Sequence, residues 1–246
     1  TNATTSTVLS EHQTGHSASR LYGRKPLDLV EPQLWFVNTR FSCLCTLHPD
    51  YSFVPRWRPS FITALSAEDR CHLNGLAVVD GRPAYVTVLG MTDTKEGWRA
   101  DKARGGAVID IASGDRVTGG MAMPHSPRVH RGKLLILNSG EAALEVIDPK
   151  TGKRETIARL PGYARGLALA GKYAFVGLSK IREQREFGGL PIEKTVAQLK
   201  CGIACVDMES GQIVELIEFE TGCDELFDVQ LIRDLKFPTV VGLKKE

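Results

Sequence analysis

Along this chain, short β-branched and aliphatic runs alternate with polar, glycine-marked breaks, and the apolar spacing almost nowhere follows a helical period. Three stretches share one pattern: Val108-Ile109-Asp110-x-x-Ser113-Gly114, Val146-Ile147-Asp148-x-x-Thr151-Gly152 and Cys205-Val206-Asp207-x-x-Ser210-Gly211. In each, an apolar run leads to an Asp that can close an Asx turn, then to a Gly suited to positive φ, then to another apolar run. The pattern therefore predicts strand, tight turn, strand. Leu47-His48-Pro49-Asp50-Tyr51, running into Phe53-Val54, is a degraded further copy.

A second unit precedes the copies. Gly75-Leu76-Ala77-Val78-Val79-Asp80-Gly81 leads to Ala84-Tyr85-Val86-Thr87-Val88, and Gly166-Leu167-Ala168-Leu169-Ala170-Gly171 leads to Tyr173-Ala174-Phe175-Val176-Gly177. Between them, Ser126-Pro127-Arg128-Val129 reaches Gly132 and then Leu134-Leu135-Ile136-Leu137. Together the two units predict four short strands joined by turns. The 38 residues from Asp110 to Asp148 approach the ~40–45 of a four-stranded propeller blade. The 59 residues from Asp148 to Asp207 contain an insertion at 180–200, whose 191–199 stretch reads as a helix with Pro191 near its first turn. Another insertion, 91–104, interrupts the preceding blade, and long loops of this kind are expected at functional rims.

Competing architectures fit less well. A TIM barrel or Rossmann fold needs a helical pattern of about 10–15 residues between strands, which only 191–199 approaches. No Trp-Asp dipeptide follows at Trp35, Trp57 or Trp98, so a WD40-type propeller is excluded. The expectation is an all-β chain: a β-propeller of four-stranded antiparallel blades at 26–246, about four in number, behind a polar tail or cut end at 1–25. Residues 27–30 would supply the inner strand of the first blade. Two strands would remain at the C-terminus, with the ends near 27–38 and 240–243 not neighbours in one blade.

Composition narrows the function classes. With 42% apolar and 24% charged residues in 246, the chain can bury a sizeable core, and 24 Gly with 12 Pro suit many turns. No apolar stretch nears the ~20 residues of a membrane-spanning helix. The net charge of +2 is spread along the chain: Lys150, Lys153, Arg154, Arg159 and Arg165 are interrupted by Asp148 and Glu155, which argues against a nucleic-acid face. Six cysteines, none in a C-x-x-C, alternate with apolar residues. With no secretory apolar segment at the N-terminus, they read as reduced structural thiols of a cytoplasmic protein.

The segments Leu34-Trp35-Phe36-Val37-Asn38-Thr39-Arg40-Phe41-Ser42-Cys43-Leu44, Tyr51-Ser52-Phe53-Val54-Pro55-Arg56-Trp57-Arg58-Pro59 and Cys71-His72-Leu73-Asn74-Gly75-Leu76 carry a resemblance, joined by Met123-Pro124-His125-Ser126-Pro127-Arg128 and Phe227-Asp228-Val229-Gln230. They resemble an uncharacterised bacterial family of conserved hypothetical proteins, a domain of unknown function, over about 34–242. The resemblance implies a propeller of six blades and brings no activity or catalytic residues. Its members look longer at the N-terminus by about two blades. This chain would then form an incomplete ring whose open blade edges need a partner chain or self-association.

Innermost strands line a propeller's channel, so polar residues at their starts should converge. Those positions hold His72 and Asn74, then His125, Ser126 and Arg128, then Arg165, then Asp228. Arg128 and Arg165 suit a carboxylate, sulfate or phosphate, because the guanidinium fork binds these bidentately. The expected function is a ligand- or peptide-binding propeller whose site at the channel mouth takes an anionic small molecule, without nucleic acid or membrane as partner. The alternative is a metal-dependent, lactonase-like hydrolase or isomerase on the same residues. A divalent metal would then use Asn74 and Asp228, or a transition metal His72 and His125. No G-x-S-x-G, P-loop or G-x-G-x-x-G motif supports another chemistry. Trp98, an aromatic on a polar loop, reads as a rim residue, while Arg56-Trp57-Arg58 reads as a cover over an outer strand.

Overall fold

A computed structural model describes residues 34–180 and 188–232. The strands form one three-stranded and three four-stranded antiparallel sheets, each a simple meander. The first comprises β1 (Trp35–Asn38), β2 (Cys43–His48) and β3 (Tyr51–Trp57). The second comprises β4 (Leu73–Val79), β5 (Arg82–Val88), β6 (Gly106–Asp110) and β7 (Arg116–Met121). The third runs β8 (Pro124–His130), β9 (Lys133–Asn138), β10 (Ala143–Ile147) and β11 (Arg154–Arg159). The fourth runs β12 (Tyr163–Ala170), β13 (Tyr173–Ser179), β14 (Gly202–Asp207) and β15 (Gln212–Glu218). The first strands of successive sheets, β4, β8 and β12, pack side by side, which makes each sheet a blade around a common axis.

The recurring Asp forms the turn that its spacing predicts. Asp110 Oδ1 accepts the N–H of Ser113 at 2.9 Å, Asp148 Oδ1 that of Lys150 at 2.8 Å, and Asp207 Oδ1 that of Glu209 at 2.9 Å. Gly114, Gly152 and Gly211 follow at φ of 78°, 71° and 73°. Two of these glycines are also sterically required, since a Cβ on Gly152 or Gly211 would strike the carbonyl of Val117 or Ile157 on the preceding blade.

Strand periodicity explains where the core lies. Ala107 and Ile109 face the first blade in a cluster with Val37, Leu44 and Leu76, whereas Val108 turns the other way toward Leu134 and Ile136. Leu135 and Leu137 face the fourth blade with Leu144, Leu167 and Val176. The second and third blades are thus apolar on both faces, and the core is a series of sheet-to-sheet layers. β1, the short 3₁₀ turn Thr39–Phe41 and β2 repeat the order of β9, Ser139–Glu141 and β10, with Ser42 and Ala142 both left-handed. β1 therefore corresponds to a second strand. The inner strand expected at 27–30, and the strand expected near 240–243, lie outside the described residues.

Two expectations need correction. The helix expected over 191–199 is a single turn, α1 (Ile192–Thr195), because Val196 is already extended at φ −120°. Burial of Leu190 and Ile192 in the core, rather than helix length, anchors this insertion. Trp98 is not a rim side chain: it is 3% exposed and packs with Leu89 and Met123. Trp57 lies against the core from β3, and Arg56 Nε donates to Thr46 Oγ1 at 2.9 Å, as expected of a cover over an outer strand. Among the described residues no helix is long and apolar enough to cross a membrane.

Where blades meet near the axis, glycine admits its neighbour. A Cβ on Gly75 would stand 2.5 Å from Pro127 Cδ. Gly75→Ala should cost about 1–3 kcal/mol in denaturant unfolding. Combined with Pro127→Ala, the loss should be less than the sum of the two single losses; simple additivity would contradict the contact.

The cysteines supply a second check. Cys43, Cys45, Cys71 and Cys201 are inaccessible, and burial pushes the thiols of Cys71 up to about 12 and Cys201 up to about 11. Alkylation at pH 8 followed by peptide mapping should label half-buried Cys223 before these four, which should react only after unfolding.

Candidate functional site

Each described inner strand carries a bulge at the same level. The pairing slips between Leu73 and Gly75, between His125 and Arg128, and between Ala164 and Leu167. Asn74, Ser126 and Arg165 occupy this stretch, ahead of the regular part of each strand, where a bulge re-aims side chains. The segment after β15 continues the series. Leu226 exchanges hydrogen bonds with Ser179 Oγ, and Val229 N would stand 2.5 Å from a Cβ on Gly166. Asp228-Val229 thus stands to Gly166 as Ser126-Pro127 stands to Gly75.

The polar residues at this level divide into those that join blades and those with donors to spare. Asn74, 8% exposed, donates from Nδ2 to Pro124 O at 3.0 Å and accepts from Thr87 Oγ1 at 2.5 Å. Ser126 Oγ accepts the N–H of Gly166 at 3.0 Å. His125 is buried, donates from Nδ1 to Met123 O at 2.8 Å, and meets Tyr163 edge-on at 5.8 Å. Asp228 accepts from Val229 N at 2.9 Å and from Gln230 Nε2 at 2.7 Å, and lies 3.6 Å from Arg128 Nη2. Arg128 also donates to Pro127 O at 3.0 Å; burial draws its pKa down and Asp228 draws it back up. Arg165 differs. Its guanidinium rests over the Phe227 ring at 4.7 Å, and among the described residues its N–H groups have no acceptor.

His72 stands immediately before β4. Its Nδ1 lies 2.8 Å from Asp69 Oδ2, and the same oxygen accepts from Trp98 Nε1 at 3.1 Å. The imidazole and indole centroids are 4.5 Å apart. Two loops hold this cluster. Glu96 N–H donates to Glu68 O at 3.0 Å, and Arg70 Nη1 donates to Asp93 Oδ1 at 2.8 Å. Asp93 is held below the usual carboxylate range by the Thr63 hydroxyl and then by Arg70. Sequence reasoning singled out His72 but missed Asp69 and the use of Trp98. The available signal was Asp69 three residues before the histidine, together with Gly90, where a Cβ would stand 2.8 Å from Trp98 Cα.

For a metal, the residues singled out are poorly disposed. Asn74 Oδ1 and both Asp228 oxygens already accept hydrogen bonds, His125 has committed Nδ1, and among the described residues no three His, Cys, Asp or Glu side chains gather as ligands. Two other concavities lie away from the bulges. One of about 410 Å³ opens between the turns bearing His130, Lys172 and Met208, and one of about 320 Å³ opens beside Trp98, Arg104 and Gly120.

Meandering blades packed through their inner strands define the chain as a β-propeller. It belongs to the family described as Domain of unknown function (DUF4915), whose model matches residues 16–241. No curated protein matches it. Among solved structures it is similar to a gluconolactonase from Xanthomonas campestris, at 13% identity and TM-score 0.48, over 82% of this chain and 63% of that one. It is also similar to the Kuenenia stuttgartiensis hydrazine synthase, at 14% identity and TM-score 0.46, over 76% of this chain and 46% of that one. A protein of unknown function from Bacteroides caccae gives 11% identity and TM-score 0.44, over 82% and 83%. The chain spans about half the length of the hydrazine synthase chain.

His125 gives the site a pH signature. Burial first, then the Arg165 charge, holds its pKa well below the usual imidazole range. The unfolded chain takes up a proton below about pH 6.5 that the folded chain refuses, so this contribution to stability is full above that pH and declines below it, by at most about 1.4 kcal/mol per pH unit. Urea midpoints should fall between pH 7.5 and 5.5, and His125→Gln should flatten the difference.

Proposed function

We propose that this propeller binds an anionic small molecule or a peptide carboxylate at the mouth of its axis, with Arg165 as the anchor. The observation that carries the reading is the state of that guanidinium: it is supported beneath by Phe227, its N–H fork has no acceptor among the described residues, and the second cation, Arg128, belongs to the adjacent inner strand. A planar fork held by an aromatic ring is preorganised for a carboxylate or phosphate, so little side-chain freedom is lost on binding. In this reading Asn74 and Ser126 set the spacing between strands, while His72 and Arg128 border the ligand. Free thiols suit a reducing compartment and support a cytoplasmic location as part of this proposal.

Titration calorimetry with succinate and inorganic phosphate tests the proposal. Arg165→Gln should weaken binding at least tenfold, about 1.4 kcal/mol, and added salt should weaken it in the parent. Asn74→Ala should lower stability more than affinity. Equal affinity in the parent and Arg165→Gln would place the anion elsewhere.

A further inference from the structure

We infer that His72 is a general base that activates water against an ester bond in an anionic substrate, with Asp69 and Trp98 as positioning residues. The inference rests on the Arg165 site as the place where the substrate's charge is held.

The imidazole is arranged for one proton. A carboxylate oxygen only accepts, so the 2.8 Å contact puts hydrogen on His72 Nδ1; in the neutral imidazole the lone pair is then on Nε2, which has no partner among the described residues. The His72 side chain is 22% exposed, enough for water to reach it. The carboxylate is fixed in turn by the indole N–H on the same oxygen, and the ring lies against that indole. Asp69 Oδ1 is the one buried side-chain oxygen or nitrogen among the described residues without a hydrogen-bond partner. Both ends of the pair also stand in strained backbone, Asp69 at φ 49° and His72 at φ 48°. Non-glycine residues are uncommon at such angles and persist where surrounding contacts enforce them. Here Asp69 N–H donates to Arg40 O at 2.9 Å and Leu89 N–H to Cys71 O at 3.1 Å.

The other candidates are committed elsewhere. His125 is buried with Nδ1 on a backbone carbonyl, and the Ser126 hydroxyl accepts a backbone N–H with no base bonded to it. Ser139 Oγ lies 2.9 Å from His125 Nδ1 but is buried and donates to Ala164 O at 2.6 Å, so among the described residues no accessible nucleophile is paired with a base, and water becomes the attacking group. His72 Nε2 takes a proton from water as the water oxygen bonds to the ester carbonyl carbon. The carbon–oxygen bond to the alcohol then breaks, and the imidazolium returns the proton to the departing alkoxide. One ester and one water give one acid and one alcohol, and a single imidazole serves both proton transfers.

The probe is 4-acetoxybenzoate, an anionic aryl ester, compared with its neutral methyl ester. The parent chain should hydrolyse the anion with saturation, and His72→Gln should lower kcat at least a hundredfold. Asp69→Asn should lower kcat and move the pH profile, while Arg165→Gln should raise KM with kcat changed only severalfold. Imidazole nitrogen NMR of the parent should show His72 protonated at Nδ1, and Asp69→Asn should lose that preference. Equal hydrolysis by the parent and His72→Gln, or a His72 protonated at Nε2, would overturn the proposal. Succinate and phosphate binding would be untouched by that outcome, so failure of the base and failure of the anion site are read separately.

Discussion

The fold depends on how closely the inner strands approach the axis. At Gly75 and Gly166 the next element's backbone or proline ring occupies the space a side chain would fill, and beside each glycine a polar residue is turned out of the strand pairing. Close approach would strand backbone polar groups unless something satisfied them. The turned-out side chains do so: Asn74 reaches the carbonyl of Pro124 in the next blade, and Ser126 takes the N–H of Gly166 in the one after. Glycine and polar neighbour are therefore one device, repeated along the series.

That device explains what the sequence revealed and what it hid. The Asp-x-x-Ser/Thr-Gly turns were legible because their chemistry is contained within five residues, and the level of polar residues was legible because each stands beside Gly or Pro or starts an apolar run. The use of each side chain was not legible. Asn74 and Ser126 look like ligand groups until their partners in neighbouring blades are known. Trp98 looked homeless because Leu89 and Met123, which bury it, lie in other elements. The helix at 191–199 shrank to one turn because burial of Leu190 and Ile192 outweighed the local helical pattern.

Two histidines in adjacent blades show how the same side chain is set to different tasks. Burial and the nearby Arg165 charge keep His125 neutral, and its Nδ1 is spent inside the protein. His72 is partly open to solvent and has a carboxylate on one nitrogen only. Context, supplied by residues distant in sequence, makes one a packing element and leaves the other with a usable lone pair.

The connections between second and third strands alternate in length around the axis. They are single 3₁₀ turns at Thr39–Phe41 and Ser139–Glu141, but long insertions after β5 and after β13. In the three blades whose inner strand is described, they stand at the end where that strand begins. The hairpins at the opposite end are held short, two of them by a glycine pressed onto the neighbouring blade. The molecule thus has one end free to vary and one end frozen. New loop sequence can be accepted at every other blade beside the channel mouth, so divergence among relatives would alter what is recognised there while leaving the scaffold's repeat unchanged.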